Sequence, residues 1–135
     1  MKYNRNTIEN KSYITIDKLD VYQLSRQLSR LSWCVYNSLT WQDKKIIGDQ
    51  FIRSADSVGA NIVEGYSRFH YLDKIKFYYN SRASLSECAD HWLELLIERK
   101  LIDNKNYTEL KIISKNLSIK LNNFISSTYN SKRKE

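Results

Sequence analysis

Four stretches of this chain repeat apolar residues at alternating steps of three and four, the spacing that gathers side chains on one face of an α-helix. The first is Val21, Leu24, Leu28, Leu31 and Val35. A second runs through Ile47, Phe51, Ala55, Val58 and Ile62 to the pair Glu64 and Gly65, where the glycine either continues the helix or ends it. The third is Ile75, Tyr78, Leu85, Cys88, Trp92 and Leu95, with Arg82 standing where the pattern asks for an apolar residue. The fourth is Leu110, Ile113, Leu117, Leu121 and Phe124, and it follows the polar run 103–106. With no proline and only three glycines in 135 residues, the chain has little from which to build the many tight turns of a sheet. Short connections between helices of about 20–30 residues force neighbours to run antiparallel. The expected fold is therefore all-α, an up-down-up-down antiparallel four-helix bundle. It spans 17–129, between a loosely ordered N-terminal arm (1–16) and a basic C-terminal tail (130–135). Asp17 or Thr15 is expected to cap the first helix, and residues 37–43 to form its exit and loop.

Lys and Arg number 22 against 15 Asp and Glu, a net charge of +7. Residues 104–135 hold seven basic and two acidic side chains, so they supply five of those charges. Such a surface attracts polyanions, nucleic acid through counterion release or anionic lipid, or it is simply well solvated; charge alone leaves these open. No apolar run approaches the roughly 18 residues of a membrane span. The first residues lack the apolar centre of a secretory signal, so a cytoplasmic location is expected, without a membrane partner. Cys34 and Cys88 have no CxxC or Cys/His ligand spacing and fall within helical patterns, which predicts two small buried hydrophobes.

Two surfaces depart from the usual solvent-facing pattern. Opposite the first apolar stripe lie Leu19, Tyr22, Arg26, Arg30, Trp33 and Asn37, where Glu, Lys and Gln would be ordinary. Aromatics interleaved with arginine are enriched in protein interfaces and nucleic-acid surfaces alike. Around the turn between the second and third helices, residues 66–79 carry six aromatics among three Lys or Arg, more than one small core can take in. The second helix adds a polar line, Gln50, Arg53, Ser57, Asn61, Glu64 and Arg68, flanking its apolar stripe. That line is expected at a seam with an adjacent helix, as a hydrogen-bond network with Glu64 and Arg68 paired and Arg53 reaching a carboxylate across the seam.

Motifs for catalysis are missing. A di-iron bundle needs Glu-x-x-His on two helices, and neither copy is present. Glu87, His91 and Glu94 share one helix face, but His70 is the only other histidine, so a solvated His91 is expected and no metal or cofactor. A P-loop, GxGxxG and HExxH are all absent, and Glu64 has neither a nucleophile nor a second titrating group beside it. The chain is not expected to be an enzyme.

Gln50, Arg53, Ser54, Ala55, Ser57, Asn61, Ile62, Glu64, Gly65 and Arg68, followed by Phe77, Ala83, Ser84, Leu85 and Glu87, resemble a family of bacterial four-helix-bundle proteins. Its members include proteins encoded in intervening sequences of the large ribosomal RNA gene, and distant relatives are accessory proteins of diversity-generating retroelements. The resemblance starts at Leu19 and covers about residues 17–127, with SVGANIVEG (57–65) its most specific stretch. It implies homopentamers with a basic surface for nucleic acid, and it supplies no catalytic residue. Gly59 stands where the family often has proline, Ala83 where glycine is usual, and His70 where Ser or Thr often starts the third helix.

These features together predict a homo-oligomer that binds nucleic acid, RNA in particular, through charge and stacking. The candidate contacts are Arg26, Arg30, Trp33, Lys111, Lys115, Lys132, Arg133 and Lys134. The competing reading is a scaffold whose interleaved aromatics hold a protein partner, such as a reverse transcriptase.

Overall fold

The structure, a computed structural model, describes residues 14–131. After a short 3₁₀ turn at Ile16–Lys18, helix α1 spans Asp20–Ser38. Helix α2 is continuous over 41–66: a first turn at Trp41–Asp43, a π turn at Lys44–Gly48, and a regular stretch at Asp49–Tyr66. Helix α3 covers 71–98, with α-helical Tyr71–Ser86 and Leu93–Glu98 on either side of a π turn at Glu87–Trp92. Helix α4 is Asn104–Ser131. Contacts close a ring, α1 on α2, α2 on α3, α3 on α4 and α4 on α1. This is the expected antiparallel four-helix bundle.

The connections explain where each helix starts. Residues 37–43 are not one loop, because only Leu39 and Thr40 separate α1 from α2. The Thr40 hydroxyl accepts the backbone N–H of Asp43 at 3.1 Å, which starts α2 earlier than the apolar stripe suggests. Neither Asp17 nor Thr15 caps α1, whose N-cap position is Leu19. Between α3 and α4, the N–H of Leu101 donates to the Leu96 carbonyl and that of Lys100 to the Ile97 carbonyl, a Schellman ending. Lys100 takes the left-handed position of that ending, with φ of 58°. Asp103 then accepts the N–H of Asn106 at 2.7 Å and caps α4.

The core contains the second stripe as expected, with Ile47, Phe51, Ala55, Val58 and Ile62 all buried. On α1, Val21, Leu28 and Val35 are buried, while Leu24 and Leu31 are half-buried. Ser25 and Ser32 take the centre of that face. The third stripe is re-phased. Ser81, not Arg82, enters the core and donates to the Val58 carbonyl at 2.8 Å. Beyond Ala89 the buried residues of α3 are Leu93 and Leu96, where the stripe predicted Trp92 and Leu95. The π turn is the reason: Leu93 N–H donates to the Cys88 carbonyl five residues back, so one extra residue is accommodated and the inward face moves by one. Cys88 is buried as expected, and burial pushes its thiol up to about 12, whereas Cys34 is exposed, contrary to expectation.

Helix α2 comes very close to both neighbours. A Cβ placed on Gly59 would lie 2.9 Å from Ser25 Oγ, and one on Gly65 would lie 2.6 Å from the Tyr78 ring. Gly65 is thus inside α2, and Gly59 lies within the uninterrupted stretch Asp49–Tyr66. Tyr78 is buried and tilted against Phe124 at 4.7 Å, so its ring has nowhere to retreat. Gly65→Ala should therefore cost about 1–3 kcal/mol by overpacking. The Ser32 hydroxyl is buried without a hydrogen-bond partner among the described residues, so Ser32→Ala should gain on the order of 1 kcal/mol. Urea denaturation of both variants beside the parent checks the opposite signs.

Candidate nucleic-acid interface

The outer face of α1 holds its predicted residues in one line. Arg26, Arg30, Trp33 and Asn37 are exposed, and Tyr22 is half-buried. Arg26 donates to the Tyr22 hydroxyl at 2.9 Å and lies over the same ring. Neither Arg26 nor Arg30 has a carboxylate partner among the described residues. Trp33 stacks on Tyr36, with ring centroids 5.5 Å apart. Tyr36 in turn donates to Asp49 at 2.7 Å, and that bond raises its pKa. Lys44 over Tyr36 and Lys45 over Trp41 extend this cation and aromatic surface around the α1–α2 connection. Counting 37–43 as a loop hid Trp41 and its lysine; Thr40 followed by Asp43 was the available signal.

The polar line of α2 does not cross a seam to another helix of the chain. Gln50, Arg53, Glu64 and Arg68 are exposed, and Ser57 and Asn61 half-buried. Ser57 donates to the Arg53 carbonyl and Asn61 to the Ser57 carbonyl, so both are satisfied along their own helix. Glu64 and Arg68 form the expected i,i+4 pair at 2.5 Å, and no carboxylate receives Arg53 among the described residues. The expected interhelical network is corrected to a surface line. Its cause is the close approach at Gly59 and Gly65, which turns the small residues inward and the polar ones out.

Lys111 and Lys115 sit apart from the α1 arginines, in a groove of about 420 Å³ between α3 and α4. In the ring of helices this is the side opposite the one between α1 and α2. Lys111 is already engaged: its ammonium is 2.6 Å from Glu94 and donates to the Ala89 carbonyl at 2.8 Å. The π turn frees that carbonyl, since Leu93 N–H, its ordinary i+4 donor, bonds Cys88 instead. Lys111 is therefore a strut between helices and not a free cation, while Lys115 remains exposed. Lys132, Arg133 and Lys134 lie outside the described residues.

At the opposite end of α2, the aromatics of the α2–α3 connection are paired with cations. Arg68 lies over Phe77, Lys74 over Tyr66 and Arg82 over Tyr79, at 4.8, 5.3 and 4.7 Å from the ring centres. Partial burial lowers the pKa of Lys74. Tyr79 and Tyr129 share a hydrogen bond of 3.2 Å between their hydroxyls. His91 is exposed with its ring edge against Trp92. Among the described residues no group of His, Cys, Asp and Glu side chains could hold a metal ion, and no helix is long and apolar enough to cross a membrane.

The profile of the family described as 23S rRNA-intervening sequence protein matches residues 17–123. The chain belongs to this family. Among solved structures, it is similar to a protein of unknown function from the S23 ribosomal protein family of Bacteroides thetaiotaomicron, with a TM-score of 0.72 and 26% identity. That similarity covers 78% of this chain and 97% of the other. No match to a curated protein was found. In this member of the family the stretch 57–65 is a packing device: Val58, Gly59, Ile62 and Gly65 face inward against α1 and α3. His70 holds the N-cap position of α3 without a side-chain capping bond.

The Lys111 strut gives a pH signature. Hydrogen bonds from Lys111 and then Tyr107 hold the Glu94 carboxyl below its ordinary 4.5. A carboxyl whose folded pKa is depressed stabilises the fold fully above its unfolded pKa and loses that contribution as pH falls through the folded value. Melting temperatures followed from neutral to acid pH should show Glu94→Gln below the parent at neutral pH, with the gap closing under about pH 4.

Proposed function

We propose that this protein is a non-enzymatic homo-oligomer that binds nucleic acid, RNA in particular, through phosphate contacts and stacking with little base-edge readout. The observation that carries this reading is the line Arg26, Arg30 and Trp33 on α1, where two guanidinium groups without carboxylate partners among the described residues share a face with an exposed indole. Arginines left free of acidic partners are available to phosphate, and an indole beside them offers a base a stacking surface. The ribosomal RNA named in the family description is in keeping with that chemistry. Lys115 on the far side of the bundle adds a second, separate positive position, which an oligomer would multiply around its surface.

Exposed apolar side chains support self-association. Trp33, Trp41, Ile46, Val63, Ile112 and Ile119 are each 40–76% exposed, a large apolar load for a monomer of 16.1 kDa. The subunit number we propose is five, as the sequence resemblance implies. Light scattering at micromolar concentration should give a multiple of the chain mass, and a monomer would overturn the assembly.

Fluorescence anisotropy of labelled RNA at several salt concentrations tests the binding. Affinity should fall steeply with salt for the parent. In the Arg26→Gln, Arg30→Gln double variant the slope of log K against log salt should shrink by about 0.7–0.9 for each phosphate that is no longer neutralised. No binding by the parent at low salt would remove the nucleic-acid reading and leave the protein scaffold.

A further inference from the structure

Phe69 is the most exposed large apolar side chain among the described residues, at 89%. It stands at the α2–α3 connection between Arg68 and His70, and the ring beside it there is that of His70, edge-on at 5.1 Å. From this tip the outer face of α3 continues through Leu72, Lys76, Tyr79 and Ala83, at steps of four, three and four, all exposed. Arg82 covers one face of Tyr79, and Tyr129 of α4 holds the Tyr79 hydroxyl. Over this strip Lys74, Lys76 and Arg82 meet, among the described residues, one carboxylate without an ion pair, Asp73, because Glu64 is already engaged by Arg68.

We propose that this tip and strip bind single-stranded nucleic acid, with Phe69 and Tyr79 stacking on unpaired bases and Lys76 and Arg82 meeting the backbone phosphates. The proposal rests on the reading above and specifies its substrate. In a duplex the faces of the bases are covered by their neighbours, so a protruding phenyl ring gains nothing from double-stranded RNA beyond what the cations gain. Bases of a single strand are free to leave their stack and lie on an aromatic ring, with every base offering such a face. Trp33 is covered on one side by Tyr36, as Tyr79 is by Arg82, so each offers a single open face, whereas Phe69 is 89% exposed. A lone aromatic would suit an apolar pocket of a protein partner equally well. Here the order Phe69, Lys76, Tyr79, Arg82 sets ring, cation, ring and cation from the tip along α3, which matches the alternation of base and phosphate along a strand.

The test compares a fluorescent oligouridylate, which has little base stacking of its own to lose, with an RNA duplex of equal length. Phe69→Ala and Phe69→Leu should each weaken oligouridylate binding about tenfold, and Phe69→Trp should restore it. Duplex affinity, melting temperature and oligomer mass should stay at the parent values. Equal weakening on both RNAs, or parent-like oligouridylate binding by the leucine variant, would overturn the stacking site. So would dissociation of the assembly by Phe69→Ala, which would make the tip an interface between copies. If the Arg26→Gln, Arg30→Gln variant loses affinity while the Phe69 variants do not, only this inference fails; if the parent binds neither RNA, the general reading fails with it.

Discussion

Everything in this bundle follows from how closely α2 approaches α1 and α3. A protein interior is packed nearly as densely as an organic crystal, so a helix separation is set by the smallest side chains at the crossing. Gly59 lets α2 rest on Ser25, and Gly65 lets it rest on the ring of Tyr78. At that separation the Ser81 hydroxyl reaches the Val58 carbonyl, and Tyr78 is sealed from water against Phe124. The stretch 57–65 is therefore the ruler of the fold. Its polar members, Ser57, Asn61 and Glu64, are left on the outside, where they bond along α2.

The two π turns decide the surface in the same way. Each inserts a residue without breaking its helix, which rotates the remainder by nearly a third of a turn relative to a regular helix. In α3 this brings Leu93 and Leu96 into the core and leaves the Ala89 carbonyl in need of a donor. Lys111 supplies it and pairs with Glu94, so a lysine that adds to the charge count is withdrawn from the cations open to a ligand. Lys115 stays open on α4, while further positive charge is placed on α1 and at the α2–α3 end. Both places set cations against aromatic rings.

Helix number, antiparallel order and most of the core were legible in the spacing of apolar residues, because a repeat of three and four describes any regular helix with one buried side. The outer line of α1 was legible for the same reason: Arg26, Arg30 and Trp33 must share a face if Val21, Leu28 and Val35 share the opposite one. A π turn carries no such signature, and the re-phasing of α3 could not be read from a period that assumes its absence. Nor does periodicity distinguish a polar line between helices from one on the surface, since both flank the apolar stripe.

By itself, then, the sequence determined an all-α bundle, its helix faces and a surplus of positive charge, all consequences of local spacing and composition. Only the tertiary structure decided which charges remain available and where the aromatics stand. Lys111 and Lys115 are four residues apart on one helix, yet the first is bound by Glu94 and the second is open to solvent. Phe69 and Phe77 belong to the same short segment, yet one protrudes and the other lies half-buried under Arg68. The fate of each such side chain depends on a partner distant in sequence, brought near by helix packing, and no pattern along the chain encodes that distance.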